Sequence, residues 1–150
     1  MIEVVDLETM YVEHVKANFD LDAIEKSGLN LVYDAMYGAG QNVLKRLMPE
    51  ITFLHCDYNP SFDGQAPEPI HKNLTEFSAL IKMSGDIDCG LVTDGDADRT
   101  GAMDERGQFV DPHKIMALSL KYLVEKRGWR GPVVKTVSTT RMINRLAERY

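Results

Sequence analysis

Leu91 to Glu105 reads LVTDGDADRTGAMDE, and the break inside it between an apolar start and an acidic middle decides the fold. Ile87 to Val92, around Cys89, is a short apolar run of strand length. It gives way to Asp94, Asp96 and Asp98, spaced by Gly95 and Ala97 and followed at once by Arg99. Three carboxylates on a curled loop suit a hard divalent cation such as magnesium or calcium, which takes oxygen ligands in a compact shell. Glycine and alanine as spacers let the loop curl. Like carboxylates at close range destabilise one another, so an ion, Arg99 or protonation must offset them. A solvated acidic turn between two strands is the bland alternative and needs no ion.

Upstream, Asp6 can cap a helix whose Leu7, Tyr11, Val15 and Phe19 recur at a spacing of four, a stripe that reads as core. Residues 1–5 read as a short strand or tail. A short helix over Leu21 to Lys26 ends at Ser27-Gly28, and Leu29 to Met36 reads as a buried strand. Tyr37-Gly38-Ala39-Gly40 then turns into a helix with Val43, Leu44, Leu47 and Met48 on one face. These glycines form only part of a dinucleotide fingerprint, so a tight structural turn is the better reading. Ile51 to Cys56 is a second strand, followed by a long loop, Asp57 to Ile70, that holds Pro60, Pro67 and Pro69. Such a loop is functional or a packing arm. Asn73 and Glu76 fit a capping box for a helix bearing Leu74, Phe77, Leu80 and Ile81, closed by Gly85.

Downstream, Gly101 to Asp104 and Gln108 to Val110 read as hairpin arms. Asp111 and Pro112 open a helix to about Arg127, Val133 to Val137 reads as a strand, and Thr139-Thr140 precedes a last helix. Alternating helices and strands imply an α/β fold of three layers, α/β/α, with a mostly parallel mixed sheet. In such sheets ligands gather beyond the carboxyl ends of the strands. The loops at Tyr37 to Gly40, Asp57 to Glu68 and Asp94 to Arg99 all leave strands there. The last strand and helix read as the opening of an unfinished domain, which would leave Val133 to Val137 to be satisfied by another edge or by self-association between chains.

A net charge of −6 argues against nucleic-acid binding, which needs clustered Lys and Arg. No run approaches transmembrane length and the amino terminus lacks signal-peptide regions, so the cytoplasm and no membrane contact are expected. Cys56 and Cys89 lack metal-site spacing and read as buried free thiols.

Numbering Asp94 as position 1 puts Glu105 at position 12 of a calcium loop, yet position 6, where that loop needs glycine, is Arg99, and the flanks are not helices. A nucleophilic-aspartate arrangement of Asp96, Asp98 and Thr100 lies too far beyond its strand. A magnesium site remains, with one oxygen from each of Asp94, Asp96 and Asp98 and Arg99 beside an anionic ligand, a layout suited to phosphoryl transfer. A nucleophile is missing. Ser61, Ser84, Ser138, Thr139 and Thr140 have no activating context, and His14, His55, His71 and His113 are not clustered.

Thr93 to Arg99, with Asp104-Glu105 and Gly107, resembles the metal-binding loop of the phosphohexomutases, the family of phosphoglucomutase and phosphomannomutase. The resemblance extends through Tyr33 to Gly40 (YDAMYGAG), Ala66-Pro67-Glu68-Pro69 with Asn73-Leu74, the helix opened by Asp111, and Lys135 to Thr140. It implies that residues 1–111 correspond to the family's second domain and 112–150 to the start of its third. It also implies magnesium-dependent transfer of phosphate between the 1- and 6-positions of a hexose phosphate through a phosphoserine and a bisphosphate intermediate. Asp94, Asp96 and Asp98 would then be the metal ligands, and Arg99 a catalytic residue at the moving phosphoryl group. The serine loop, the sugar-recognition loop and the phosphate-binding domain of that family have no counterpart in these 150 residues. The expectation is therefore an excised and inactive piece of the enzyme, with a freestanding metal or phosphosugar-binding module as the alternative. Tyr37 and Gln65 stand where many relatives have histidine and arginine.

Overall fold

Leu31–Asp34 forms β1, an interior strand, and all four residues are buried. Its neighbours are β2 (Thr52–Leu54) and β3 (Cys89–Thr93), both parallel to it, and β3 pairs antiparallel with β4 (Thr100–Met103). With β5 (Phe109–Val110) the sheet order is β2-β1-β3-β4-β5. This computed structural model describes residues 2–150. Residues 2–5 carry no regular structure, and Met1, which shares their reading as strand or tail, lies outside the described residues.

Because side chains alternate across a strand, β1 feeds two cores. Val32 joins Val92 and Met103 beneath Phe77 and Ile81 of α4 (Thr75–Ser84). Tyr33 faces the other way, with Leu91, Phe53 and Leu44 of α3 (Gln41–Leu47). The register that pairs Tyr33 with both Phe53 and Leu91 puts those three on one face. Helices thus cover both sides of a mixed sheet, and the class is α/β, layered α/β/α. The chain divides into two compact units, Met1–Phe109 and Val110–Tyr150. Within the second, α5 (Pro112–Glu125), capped by Asp111, packs on α6 (Arg141–Arg149), whose Ile143 is buried, and Tyr150 hydrogen-bonds Glu125.

Three expectations give way. The Leu7, Tyr11, Val15 and Phe19 stripe along α1 (Leu7–Asn18) is not core: Leu7, Tyr11 and Phe19 are exposed and Val15 is only half-buried. The helix instead turns Glu8, Thr9 and Val12 inward, where Arg46 of α3 bonds Glu8 Oε1 and Thr9 Oγ1, each at 3.0 Å, and Val12 is fully buried. Periodicity shows that a helix has an apolar face but not what lies against it. The capping box at Asn73 and Glu76 does not form: α4 begins one residue later, its N-cap is Leu74, and no side chain caps it. Val133 to Val137 is not a strand. Its valines favour extended backbone, but in a unit built of two helices no strand lies beside it, and Val134 and Val137 stay exposed. The strand on which the expected self-association rested is therefore absent. α2 (Leu21–Lys26) matches its expected range, and among the described residues no helix is long and apolar enough to cross a membrane.

Phe77, 1% exposed, fills the space between α4 and the sheet. Phe77→Ala is expected to cost about 3–5 kcal/mol, read as a lower urea midpoint of unfolding with an unchanged slope.

Candidate metal centre

In the order β2-β1-β3 the chain leaves β1 towards β2 and returns to β3 on the opposite side. The gap beyond the carboxyl ends of β1 and β3 is thus the topological switch point, where open α/β sheets hold ligands. Two loops meet there. Ala39 N–H donates to Gly95 O at 2.9 Å, and a Cβ on Gly38 would fall 2.7 Å from the backbone oxygens of both Asp94 and Gly95. A Cβ on Gly40 would collide with the Tyr33 hydroxyl. Only glycine allows this approach. The Tyr33 hydroxyl and Thr93 Oγ1, 2.6 Å apart, tie the ends of β1 and β3 together. Burial pushes the Tyr33 phenol up to about 12, so it stays protonated for that bond.

The acidic loop closes on itself. Asp94 N–H donates to Arg99 O at 3.2 Å and Ala97 N–H to Asp94 O at 3.1 Å, with Ala97 in the left-handed region at φ 62°. Asp94 is 1% exposed, Asp96 and Asp98 are exposed, and one oxygen from each lies within 4.8 Å of the others. Asp94 accepts from Arg99 twice, from the backbone N–H at 3.0 Å and from Nε at 2.6 Å. Burial pushes the Asp94 carboxyl up, but these bonds and the Arg99 charge outweigh it and hold the group below the usual carboxylate range. Asp98 is pushed the other way, mainly by the charge on Asp96. The loop therefore carries more negative charge than Arg99 offsets. A donor set of carboxylate oxygens alone, with that surplus, fits a hard divalent cation. Arg99 is half-exposed, with Nε also 3.5 Å from Asp98 and Nη1 3.8 Å from Glu68.

A polar cluster at the same end of β1 was not singled out in the sequence. Asp34, 2% exposed, accepts from Met36 N–H at 2.8 Å and bonds His55 Nδ1 at 3.0 Å, while His55 Nε2 lies 3.4 Å from Glu76. The Tyr37 ring rests 4.7 Å from that of His55. Burial raises the Asp34 carboxyl, against the pull of the Met36 and His55 bonds. The only local sequence signal was an aspartate closing an apolar strand. Of the hydroxyls considered as nucleophiles, Ser84 alone bonds a carboxylate, Asp86, and it does so before the start of β3, at the other end of that strand from the acidic loop; Ser61 Oγ donates to Asn59 Oδ1, Thr140 caps α6, and Ser138 and Thr139 bond Thr136. Cys56 is buried, Cys89 half-buried, and both are free.

The family described as phosphoglucomutase/phosphomannomutase, alpha/beta/alpha domain II, matches residues 9–107. A phosphoglucomutase/phosphomannomutase of Thermococcus kodakarensis is 33% identical over 148 residues, covering 96% of this chain and 32% of the relative. A phosphoglucosamine mutase of Methanocaldococcus jannaschii is 35% identical over 141 residues, 89% of this chain and 30% of that protein. A crystal structure of a Burkholderia thailandensis protein of the phosphoglucomutase/phosphomannomutase family superposes with a TM-score of 0.82 at 27% identity, over 98% of this chain and 32% of that one. The chain belongs to the phosphoglucomutase/phosphomannomutase family, and its residues 9–107 match that family's alpha/beta/alpha domain II. It spans about a third of the length of these relatives.

The carboxyls of Asp94 and Asp34 contribute to pH dependence with opposite signs. Asp94, lowered in the folded chain, contributes stability in full above the ordinary carboxylate range and loses it as pH falls through its folded value. Asp34, raised, makes the folded chain lose stability as pH climbs from the ordinary range through its folded value. In metal-free buffer Asp94→Asn should flatten the acid limb of urea midpoint against pH. Asp34→Asn should steepen the rise above the ordinary range.

Proposed function

We propose that this chain forms the magnesium-binding wall of a phosphohexomutase active site, in an enzyme that moves phosphate between the 1- and 6-positions of a hexose phosphate. The observation that carries the reading is the Asp94, Asp96, Asp98 triad at the switch point, with ligand atoms within 4.8 Å and Arg99 beside it. The mutase names of the family and relatives support it.

Asp94, Asp96 and Asp98 would hold Mg2+, each through a carboxylate oxygen. Bound there, magnesium supplies charge neutralisation to phosphate oxygens during transfer. Arg99 presents a planar fork of donors suited to phosphate. Asp94, Asp98 and Glu68 fix its direction, so its free donors are oriented before a substrate arrives. Buried Asp94 remains ionised because of its two bonds from Arg99, which keeps a ligand charge in place across neutral pH. Transfer exchanges one P–O bond for another between a serine oxygen and a sugar hydroxyl. The serine, the base that takes the hydroxyl proton, and the groups that grip the sugar belong to segments outside these 150 residues. Residues 1–111 constitute the metal-binding domain and 112–150 the opening of the next. Support for that division comes from the family match over residues 9–107.

The test is a coupled assay of glucose 1-phosphate conversion to glucose 6-phosphate, using the whole polypeptide that the cell makes from this reading frame. Asp96→Asn should reduce kcat about 100-fold or more. A mutase indifferent to Asp96→Asn would rule out the assigned role of the triad.

A further inference from the structure

The long loop Asp57 to Ile70 touches the metal loop at its Ala66–Glu68 turn. Gly95 N–H donates to Pro67 O at 3.1 Å, and a Cβ on Gly95 would fall 2.9 Å from Pro67 Cγ, so the two backbones are in close contact. Glu68 reaches Arg99 from the same turn. The turn is fixed by one side chain. The Asn73 amide nitrogen donates to Ala66 O at 3.1 Å and to Glu68 O at 3.0 Å. A side-chain amide carries two hydrogens on one nitrogen, which matches two carbonyls at once. Gln65 Nε2 bonds back to Asn73 O at 2.9 Å. Asn73 is anchored in turn by its neighbour Leu74, 1% exposed in the core under α4.

Position matters here. Asn73 stands where an asparagine can cap a helix, yet α4 goes without a side-chain cap. Its hydrogen-bonding capacity goes to the turn that supports Gly95. A chain of contacts therefore runs from buried Leu74 through half-buried Asn73 and the Ala66–Glu68 turn to the loop between Asp94 and Asp96.

We propose that Asn73 is a positioning residue for the metal loop: by clamping Ala66–Glu68 it holds Gly95, and with it Asp94 and Asp96, in the arrangement that binds a divalent cation. This rests on the metal reading of Asp94, Asp96 and Asp98. Groups outside the ligand shell that orient metal ligands commonly change affinity by about 10–100-fold when removed.

The experiment is a Mg2+ titration of the 150-residue chain followed by the amide NMR signals of Gly95 and Asp96, with hydrogen exchange at Gly95 measured in parallel. The wild type should saturate. Asn73→Ala should raise the midpoint about tenfold or more and speed exchange at Gly95, while the Tyr33 and Val92 amides keep their protection. Asn73→Ser, too short to span both carbonyls but compatible with the turn, should behave likewise and decides the matter if Asn73→Ala does not fold. Thr75→Ala, at the start of the same helix, should leave the midpoint unchanged, which separates loop positioning from general weakening of α4. Midpoints for both Asn73 variants within about twofold of wild type, against the expected tenfold, with Gly95 equally protected, would overturn the proposal. A wild type without any Mg2+ response would overturn the metal reading itself, and this proposal with it.

Discussion

The site depends on how closely two backbones approach at Gly38. A methyl group there would sit 2.7 Å from the carbonyl oxygens of Asp94 and Gly95, well inside contact distance. With hydrogen in its place, the turn after β1 lies against the acidic loop after β3, and Ala39 N–H can reach Gly95 O. Parallel pairing of β1 and β3 brings the strand ends together, and the Tyr33 to Thr93 bond keeps them so. Without the close approach, the acidic loop would leave β3 with no support on its β1 side.

Charge is balanced unevenly within the loop. Bonds to an ionised carboxylate contribute about 1.5–3 kcal/mol each, whereas exposed ion pairs contribute about 0–1 kcal/mol. The two donations from Arg99 to buried Asp94 therefore dominate, and the longer, exposed contacts to Glu68 and Asp98 serve mainly to set direction. Asp94 is settled, while the charge on Asp96 acts to raise the carboxyl of Asp98. One carboxylate is thus held in place, and two are left exposed.

Much of the fold could be read from local pattern. The apolar runs at β1 and β3, the caps at Asp6 and Asp111, and the glycines after β1 each specify structure through neighbours a few residues away. Pattern failed where the outcome depended on distant partners. The α1 stripe looked like core, but Arg46, 38 residues from Glu8, bonds the other side of that helix. Val133 to Val137 had strand composition and no strand beside it. Asn73 looked like a helix cap, and its amide instead serves carbonyls in the preceding loop.

The sequence by itself determined the α/β class, the strand-to-loop break at Asp94 and the carboxylate triad, because each is a short-range pattern of residue types. Tertiary structure alone decided that Asp94 is buried and bonded twice to Arg99, that Asp34 and His55 form a second polar cluster beside the same strand ends, and that Asn73 clamps the Ala66–Glu68 turn whose Pro67 carbonyl meets the acidic loop at Gly95. Burial, hydrogen-bond partners and close contacts are properties of pairs brought together by folding. No window of sequence contains both members of pairs such as Gly38 with Asp94, or Pro67 with Gly95.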